Sequence, residues 1–539
     1  MKKLVSRFMA VLMAMTMILS MSMTAFATDA PKGTLTVNNT VAGKTLDLYQ
    51  IFTATKNEAG NVAYTLNSAY EGFFKDNDKI PGSESLKGEA LSEKAYEYVK
   101  TQVGTDGSNG AEFAKAILGW ILEHNGTVAA THTTAHTTAG TTEINNLDYG
   151  YYVVYPLGAT DTSTAPGNGT VKSVASLVSV TGDDATVNMK SNYPTVVKKV
   201  NDKNADDVNI GDTVTYTLTS KVPDMTGYTS YVFNFKDTLS AGLTFKEITS
   251  VTVGGTTIKA VDEGQEENNS YTLKQDGQTI TITMNHFLAS YKDKAGQEIK
   301  VTYTATLNKD AVTGFDANKN SAIVEYSNDP SNNTKGESEP SIVDVHTFDF
   351  TIFKYYLNDA HKTGLANAEF ELYKANEAGD AADENVKINI VDERDGVYRQ
   401  ATADEAKAPG FTSAKIVSDA DGKVLVKGLD AGTYYLRETK APEGYNKLLS
   451  DIKVEIEATY GENGKLVSYT VNYTYNENKT TGTAIVDNDN SPEVAVENKT
   501  GAQLPSTGSK GALMVTLAGI VLFGALTASK AFGKKKAKN

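Results

Sequence analysis

The sequence predicts a mainly β protein of three tandem immunoglobulin-like sandwiches, the first carrying helical insertions. Three observations predict it. Apolar and polar residues alternate with a period of two at Thr213–Leu218, Thr279–Met284, Lys300–Leu307, Thr347–Lys354 and Val494–Asn498, the pattern of strands with one face in a core. Gly, Asn and Asp punctuate these runs at short intervals, as turns between short strands require. A chain of 539 residues is also too long for a single core, so about two to four domains are expected.

The elements follow in chain order. Met1 to Ala27 combines a basic start (Lys2, Lys3, Arg7), an apolar run from Phe8 and the triplet Ala25-Phe26-Ala27. That is the make-up of a secretory signal peptide with its cleavage site. Residues 28–192 form the first unit, with helical stretches near Leu91–Val103 and Ala111–His124. In the second stretch Ala114, Ile117, Leu118, Ile121 and Leu122 recur at helical spacing, which packs that helix against a sheet. Residues 193–344 and 345–500 are the middle and last units, with boundaries near Tyr193-Pro194 and Val343–His346. In 501–539, the apolar run Gly511–Ser529 is about long enough to cross a bilayer. Lys530, Lys534, Lys535, Lys536 and Lys538 follow it, and would stay on the cytoplasmic side.

Composition excludes several functions. With no cysteine there is no disulfide scaffold, thiolate metal site or cysteine nucleophile. A formal charge of −15, from 51 basic and 66 acidic residues, argues against a nucleic-acid partner, which needs a basic footprint. No cofactor or metal is expected. Asp202-Lys203-Asn204-Ala205-Asp206 begins like a calcium loop, but Asp207 stands where glycine is required and no glutamate closes it. His132 and His136 lie in a Thr-rich run, Thr131–Thr142, that reads as a flexible loop.

The most informative residues are polar ones in phase with apolar neighbours. Phe348, Phe350, Ile352 and Lys354 share one strand face, as do Tyr434, Leu436 and Glu438, and Val494, Val496 and Asn498. A lysine, a glutamate and an asparagine turned into one core are costly unless they meet. Burial lowers a lysine pKa and raises that of a carboxyl. The Lys354 amine, once neutral, can then attack the Asn498 carboxamide while an acid polarises its carbonyl and moves protons as ammonia leaves. The product is an intramolecular isopeptide bond. The middle unit repeats the pattern with aspartate. Val196, Lys198 and Val200 share a face, which favours Lys198 over Lys199. Tyr231, Phe233, Phe235 and Asp237 share another, and Asn320, Ala322, Val324 and Tyr326 a third. Asn328 keeps the phase but precedes Asp329-Pro330 in a turn signal, so Asn320 is preferred. The first unit lacks such a set: Gly33–Val37 has no in-phase lysine, and Pro156 stands where Glu438 stands in the aligned segment. No cross-link is expected there.

These segments carry resemblances. Tyr434-Tyr435-Leu436-Arg437-Glu438-Thr439-Lys440-Ala441-Pro442-Glu443-Gly444-Tyr445 and Gly364-Leu365-Ala366-Asn367-Ala368-Glu369-Phe370-Glu371-Leu372-Tyr373 resemble Cna-B-type domains of Gram-positive pilins. That resemblance implies a first-strand lysine joined to a last-strand asparagine beside a catalytic glutamate. The middle unit resembles the Cna-A-type variant, in which an aspartate is the acid. Leu504-Pro505-Ser506-Thr507-Gly508, followed by the apolar span and basic tail, resembles an LPxTG cell-wall sorting signal. It implies that a sortase cuts between Thr507 and Gly508 and joins Thr507 to an amine. In Thr186–Asn192, Val187 and Met189 point inward while Asn188, Lys190 and Asn192 point out. Backbone pilins carry their polymerising lysine at that position, commonly in a Tyr-Pro-Lys-Asn sequence. Tyr193-Pro194-Thr195 is a degenerate form of it, so Lys190 is chosen ahead of Lys199 and Lys172.

The function implied is that of a sortase-assembled backbone pilin, a structural protein rather than an enzyme, on the surface of a Gram-positive bacterium. Its partners would be pilin-specific and housekeeping sortases, further copies of itself, tip and basal pilins, and peptidoglycan. The alternative is a monomeric wall-anchored adhesin that binds a host or matrix ligand through its first unit.

Overall fold

The computed structural model describes residues 31–104, 110–160, 174–189, 192–488 and 491–501. The signal peptide, Lys172, Lys190, the Leu504–Gly508 pentapeptide and the expected membrane span lie outside them. Among the described residues no helix is long and apolar enough to cross a membrane. The chain divides into two compact units. One runs to Thr347 and includes Tyr460–Val467; the other holds Phe348–Thr459 and continues from Ser468.

Two sandwiches make up the first unit. In the N-terminal one, the strand Lys32–Thr40 pairs antiparallel with Gly140–Asp148 and parallel with Ala185–Asn188. The opposing sheet orders Val62–Leu66, Leu46–Lys56, Gly150–Pro156 and Ser176–Val180. The expected helices are present as Gly88–Val103 and Gly110–Glu123. Ala114, Ile117, Leu118, Ile121 and Leu122 are all buried, in one cluster with Ile51, Val153 and Tyr155 of that sheet. The Thr-rich run is ordered, contrary to the flexible loop expected. His132–Thr134 pairs with Leu46–Leu48, and the Thr137 hydroxyl, buried, donates to the Val41 and Lys44 carbonyls. Threonine suits a half-buried pleated surface, which low sequence complexity conceals.

The middle sandwich faces a sheet of Leu243–Val253, Glu298–Leu307, Thr213–Lys221 and Val197–Val200 against one whose centre is Ser341–His346, Asn318–Ser327, Phe233–Leu239 and Thr279–Met284. Ser341–Val345 pairs with Asn318–Ala322 in the boundary region expected near Val343–His346. Its core is continuous, from Val196 through Tyr216, Phe233, Phe235 and Ile282 to Val345.

The second unit is one further sandwich. Phe348–Asn358 lies between Lys423–Leu429 and His361–Gly364 and also pairs, in parallel, with Glu493–Glu497. Facing it, Gly432–Lys440 runs between Glu369–Ala375 and Ile452–Tyr460.

Candidate functional site: two buried amine–acid–amide centres

In the middle sandwich the period-two pattern turns Val196, Lys198 and Val200 inward, and all three are buried. Lys199, one residue on, is half-buried and donates to Asn204 Oδ1 at 2.6 Å, so the amine in the core belongs to Lys198. Asp237 and Asn320 come from adjacent antiparallel strands of the facing sheet. Asp237 pairs with Ala322 and Leu239 with Asn320, which sets acid and amide on one face two residues apart. Both are fully buried. Lys198 Nζ donates to Asp237 Oδ2 and, at 2.8 Å, to the Tyr303 hydroxyl. The second oxygen of Asp237 and the Asn320 carbonyl oxygen have no hydrogen-bond partner. Asn328 lies beyond its strand, where its side-chain oxygen accepts from Thr334, so it is not the amide of this centre.

The C-terminal sandwich builds the same set differently. Lys354 sits opposite Val496 in the parallel pairing, and Asn498 follows that strand, its N–H donating to the Tyr355 carbonyl at 2.9 Å. Lys354 and Asn498 therefore flank one another on one sheet, while Glu438 comes from the other, paired with Phe370. All three are buried. Lys354 Nζ stands 3.1 Å from Glu438 Oε1. Asn498 Nδ2 donates to Glu438 Oε2 at 3.4 Å and to the Asn446 carbonyl at 2.6 Å. The Leu448 N–H holds the same carboxylate oxygen at 2.7 Å. The Asn498 carbonyl oxygen has no hydrogen-bond partner, so the carboxyl that was expected to polarise it meets the amide at its nitrogen instead.

Burial sets the electrostatics. Both amines are held down at about 8, Lys198 with Asp237 and Lys354 with Glu438 offsetting part of the desolvation. An ordinary lysine is almost wholly protonated and non-nucleophilic near neutrality; a lowered pKa raises the share of free amine. Each centre thus seals an amine, a carboxyl and a carboxamide together in a core.

The structure brings together all six side chains that the sequence singles out. It places Asn320 differently from a last-strand residue: Lys335–Glu337 and Ser341–His346 follow its strand, and Lys198 and Asn320 both donate to the Tyr303 hydroxyl between them. The residues missed were Tyr303 and its stacked neighbour Tyr216, with ring centroids 5.1 Å apart, and the backbone groups of Asn446 and Leu448. Tyr303 is in phase with inward Val301 and Ala305, a signal that marks a core tyrosine without revealing its partners. In the N-terminal sandwich no lysine, arginine or carboxylate is buried among the described residues. In the Asp202 segment a turn at Asn201–Asp202 leads into the short strand Ala205–Asp207, and Lys203 pairs with Asp206. No group of three or more His, Asp or Glu is gathered for a metal among the described residues.

Tandem β-sandwiches, two of which seal a lysine, a carboxyl and an asparagine in their cores, define the class of protein that the fold and the site describe. Comparison with known proteins shows what the chain is similar to. The family "Gram-positive pilin backbone subunit 2, Cna-B-like domain" matches residues 210–330, and "SpaA: Prealbumin-like fold domain" matches 353–472. The first match falls within the middle sandwich and the second within the C-terminal one. The middle match carries a Cna-B-like description, where the aspartate had suggested the Cna-A-type variant. Among curated proteins, the chain is 28% identical over 284 residues to the fimbrial subunit type 2 of Actinomyces naeslundii, covering 49% of this chain and 50% of that protein. It is 26% identical over 383 residues to the trypsin-resistant surface T6 protein of Streptococcus pyogenes serotype M6, covering 64% and 61%. The aligned regions thus span about half to three-fifths of these relatives. Among solved structures it is similar to the T6 backbone pilin of serotype M6 Streptococcus pyogenes (18% identity, TM-score 0.45, 89% of this chain and 100% of that one). It is also similar to the major pilin SpaA of Corynebacterium diphtheriae (17%, TM-score 0.40, 86% and 99%).

Proposed function

We propose that this chain is the shaft subunit of a covalently polymerised pilus anchored to the wall of a Gram-positive cell. Its role is structural, not enzymatic. The observation that carries the reading is the pair of buried centres, since a lysine, a carboxyl and an asparagine sealed in each of two cores serve no folding purpose that an apolar set would not serve better. In each centre the amine attacks the carboxamide carbon, the carboxyl carries protons, and ammonia leaves. The bonds are Lys198–Asn320, beside Asp237, and Lys354–Asn498, beside Glu438. Each closes a loop of more than a hundred residues, worth about 5 kcal/mol on the loop-entropy model. In the C-terminal sandwich the bond ties the first strand to the last, so tension crosses the module without unzipping the sheet.

Polymerisation supplies the rest. A sortase cuts between Thr507 and Gly508, in Leu504-Pro505-Ser506-Thr507-Gly508, and transfers the Thr507 acyl group to Lys190 of another copy. Head-to-tail linkage of this kind does not close and grows a fibre. A housekeeping sortase then attaches the finished fibre to peptidoglycan, with tip and basal pilins at its ends. An antibody to the ectodomain should reveal a high-mass ladder in wall extracts of the source cells. A single band at subunit mass would overturn the shaft and leave the wall-anchored adhesin.

A further inference from the structure

The middle centre contains a fourth polar group that the C-terminal centre lacks. The Tyr303 hydroxyl receives hydrogen bonds from Lys198 Nζ at 2.8 Å and from Asn320 Nδ2 at 2.7 Å, and donates to Asp237 Oδ2 at 2.7 Å. It therefore touches the nucleophilic nitrogen, the leaving nitrogen and the acid at once. Asp237 and Asn320 meet through this hydroxyl, with no direct hydrogen bond between them, since the remaining oxygen of each is unpartnered. In the C-terminal centre the longer Glu438 reaches the amide nitrogen of Asn498 itself. An aspartate is one methylene shorter, and the phenol spans the gap.

The geometry points to Tyr303 as a catalytic residue of the middle cross-link, the proton relay between Asp237 and the departing nitrogen of Asn320. The inference rests on the cross-linking reading above and adds a group to it. Lys198 Nζ, as free amine, bonds to Asn320 Cγ, and the Cγ–Nδ2 bond breaks. Asp237 Oδ2 takes one proton from Nζ. The Tyr303 hydroxyl gives its proton to Nδ2 and is refilled from Asp237. Ammonia leaves, and phenol and carboxyl end as they began. Burial holds the Tyr303 phenol well above its usual range, so it stays neutral and passes protons along a hydrogen-bond chain. Only rotation of the hydroxyl is needed to reverse the chain's direction, because the heavy atoms already lie within bonding distance.

The test uses ectodomain from cell-free synthesis, sampled over time by intact mass, with the cross-linked peptides assigned after digestion. Native protein should lose two ammonia molecules. Tyr303→Phe should lose the C-terminal one on schedule and the middle one about 100-fold more slowly or not at all, the usual scale of a lost general acid. The C-terminal bond serves as internal control. Should native protein lose no ammonia, the cross-linking reading itself fails; should Tyr303→Phe lose both at the native rate, the relay alone is overturned. A second variant guards against misfolding. Tyr303→3-fluorotyrosine keeps the shape and makes the hydroxyl more acidic. It should shift the pH–rate profile of the middle bond, and leave that of the C-terminal bond in place. An unmoved middle profile contradicts the relay.

Discussion

The Asn498→Ala ectodomain is expected to unfold its C-terminal sandwich roughly 10–20 °C below the native protein, from about 5 kcal/mol of loop closure spread over a module of this size. Asparagine is the cleanest member of the triad to remove. Its loss leaves Lys354 and Glu438 facing one another at 3.1 Å in the core, so charge balance is kept and only the covalent bond disappears. Lys354→Ala would confound the result by stranding a buried carboxylate, which adds a penalty of about 3–5 kcal/mol of its own. Calorimetry reads the transition. Digestion reads the topology, because the native cross-link keeps the first and last strands on one branched peptide. The middle sandwich should melt unchanged, being part of the other compact unit. An Asn498→Ala protein that melts with the native one would remove the bond from the account of stability.

Lys190→Ala should have the second large effect, an all-or-none one: wall extracts that show a ladder for the native chain should show subunit-mass material only. The flanking residues fit the reading. Val187 and Met189 are buried and Asn188 between them is exposed, the alternation from which the outward position of Lys190 is expected; Lys190 itself lies outside the described residues. Of the alternatives, Lys172 lies outside the described residues and Lys199 is less suited. Lys199 is held by Asn204, and Lys198 and Lys354 are sealed in cores where no enzyme reaches them. Ladders that persist in Lys190→Ala would assign the acceptor role to another lysine.

Much of the fold and nearly all of the two centres was legible in the sequence, for one physical reason. A strand's period of two converts sequence position directly into face, so Lys354, Glu438 and Asn498 announce themselves by falling in phase with Phe350, Leu436 and Val496. Two things did not announce themselves. Topology decides which strands face each other, and the alternation at Asn320 says that it is inward without saying that its strand lies two before the last. Contacts supplied by hydroxyl and backbone groups are equally silent. Tyr303 reads as one more inward aromatic, and the Asn446 carbonyl and Leu448 N–H lie in an irregular segment with no periodicity at all. The order in Thr131–Thr142 was hidden for a related cause, since a run of one residue type offers no alternation to read.

The most direct measurement is the intact mass of the folded ectodomain, residues 28–500. Two closed centres predict a protein lighter than its sequence by two molecules of ammonia, with the deficits on peptides joining Lys198 to Asn320 and Lys354 to Asn498. A mass equal to that of the linear sequence would mean that the amines and amides sit together unreacted, and would contradict the account.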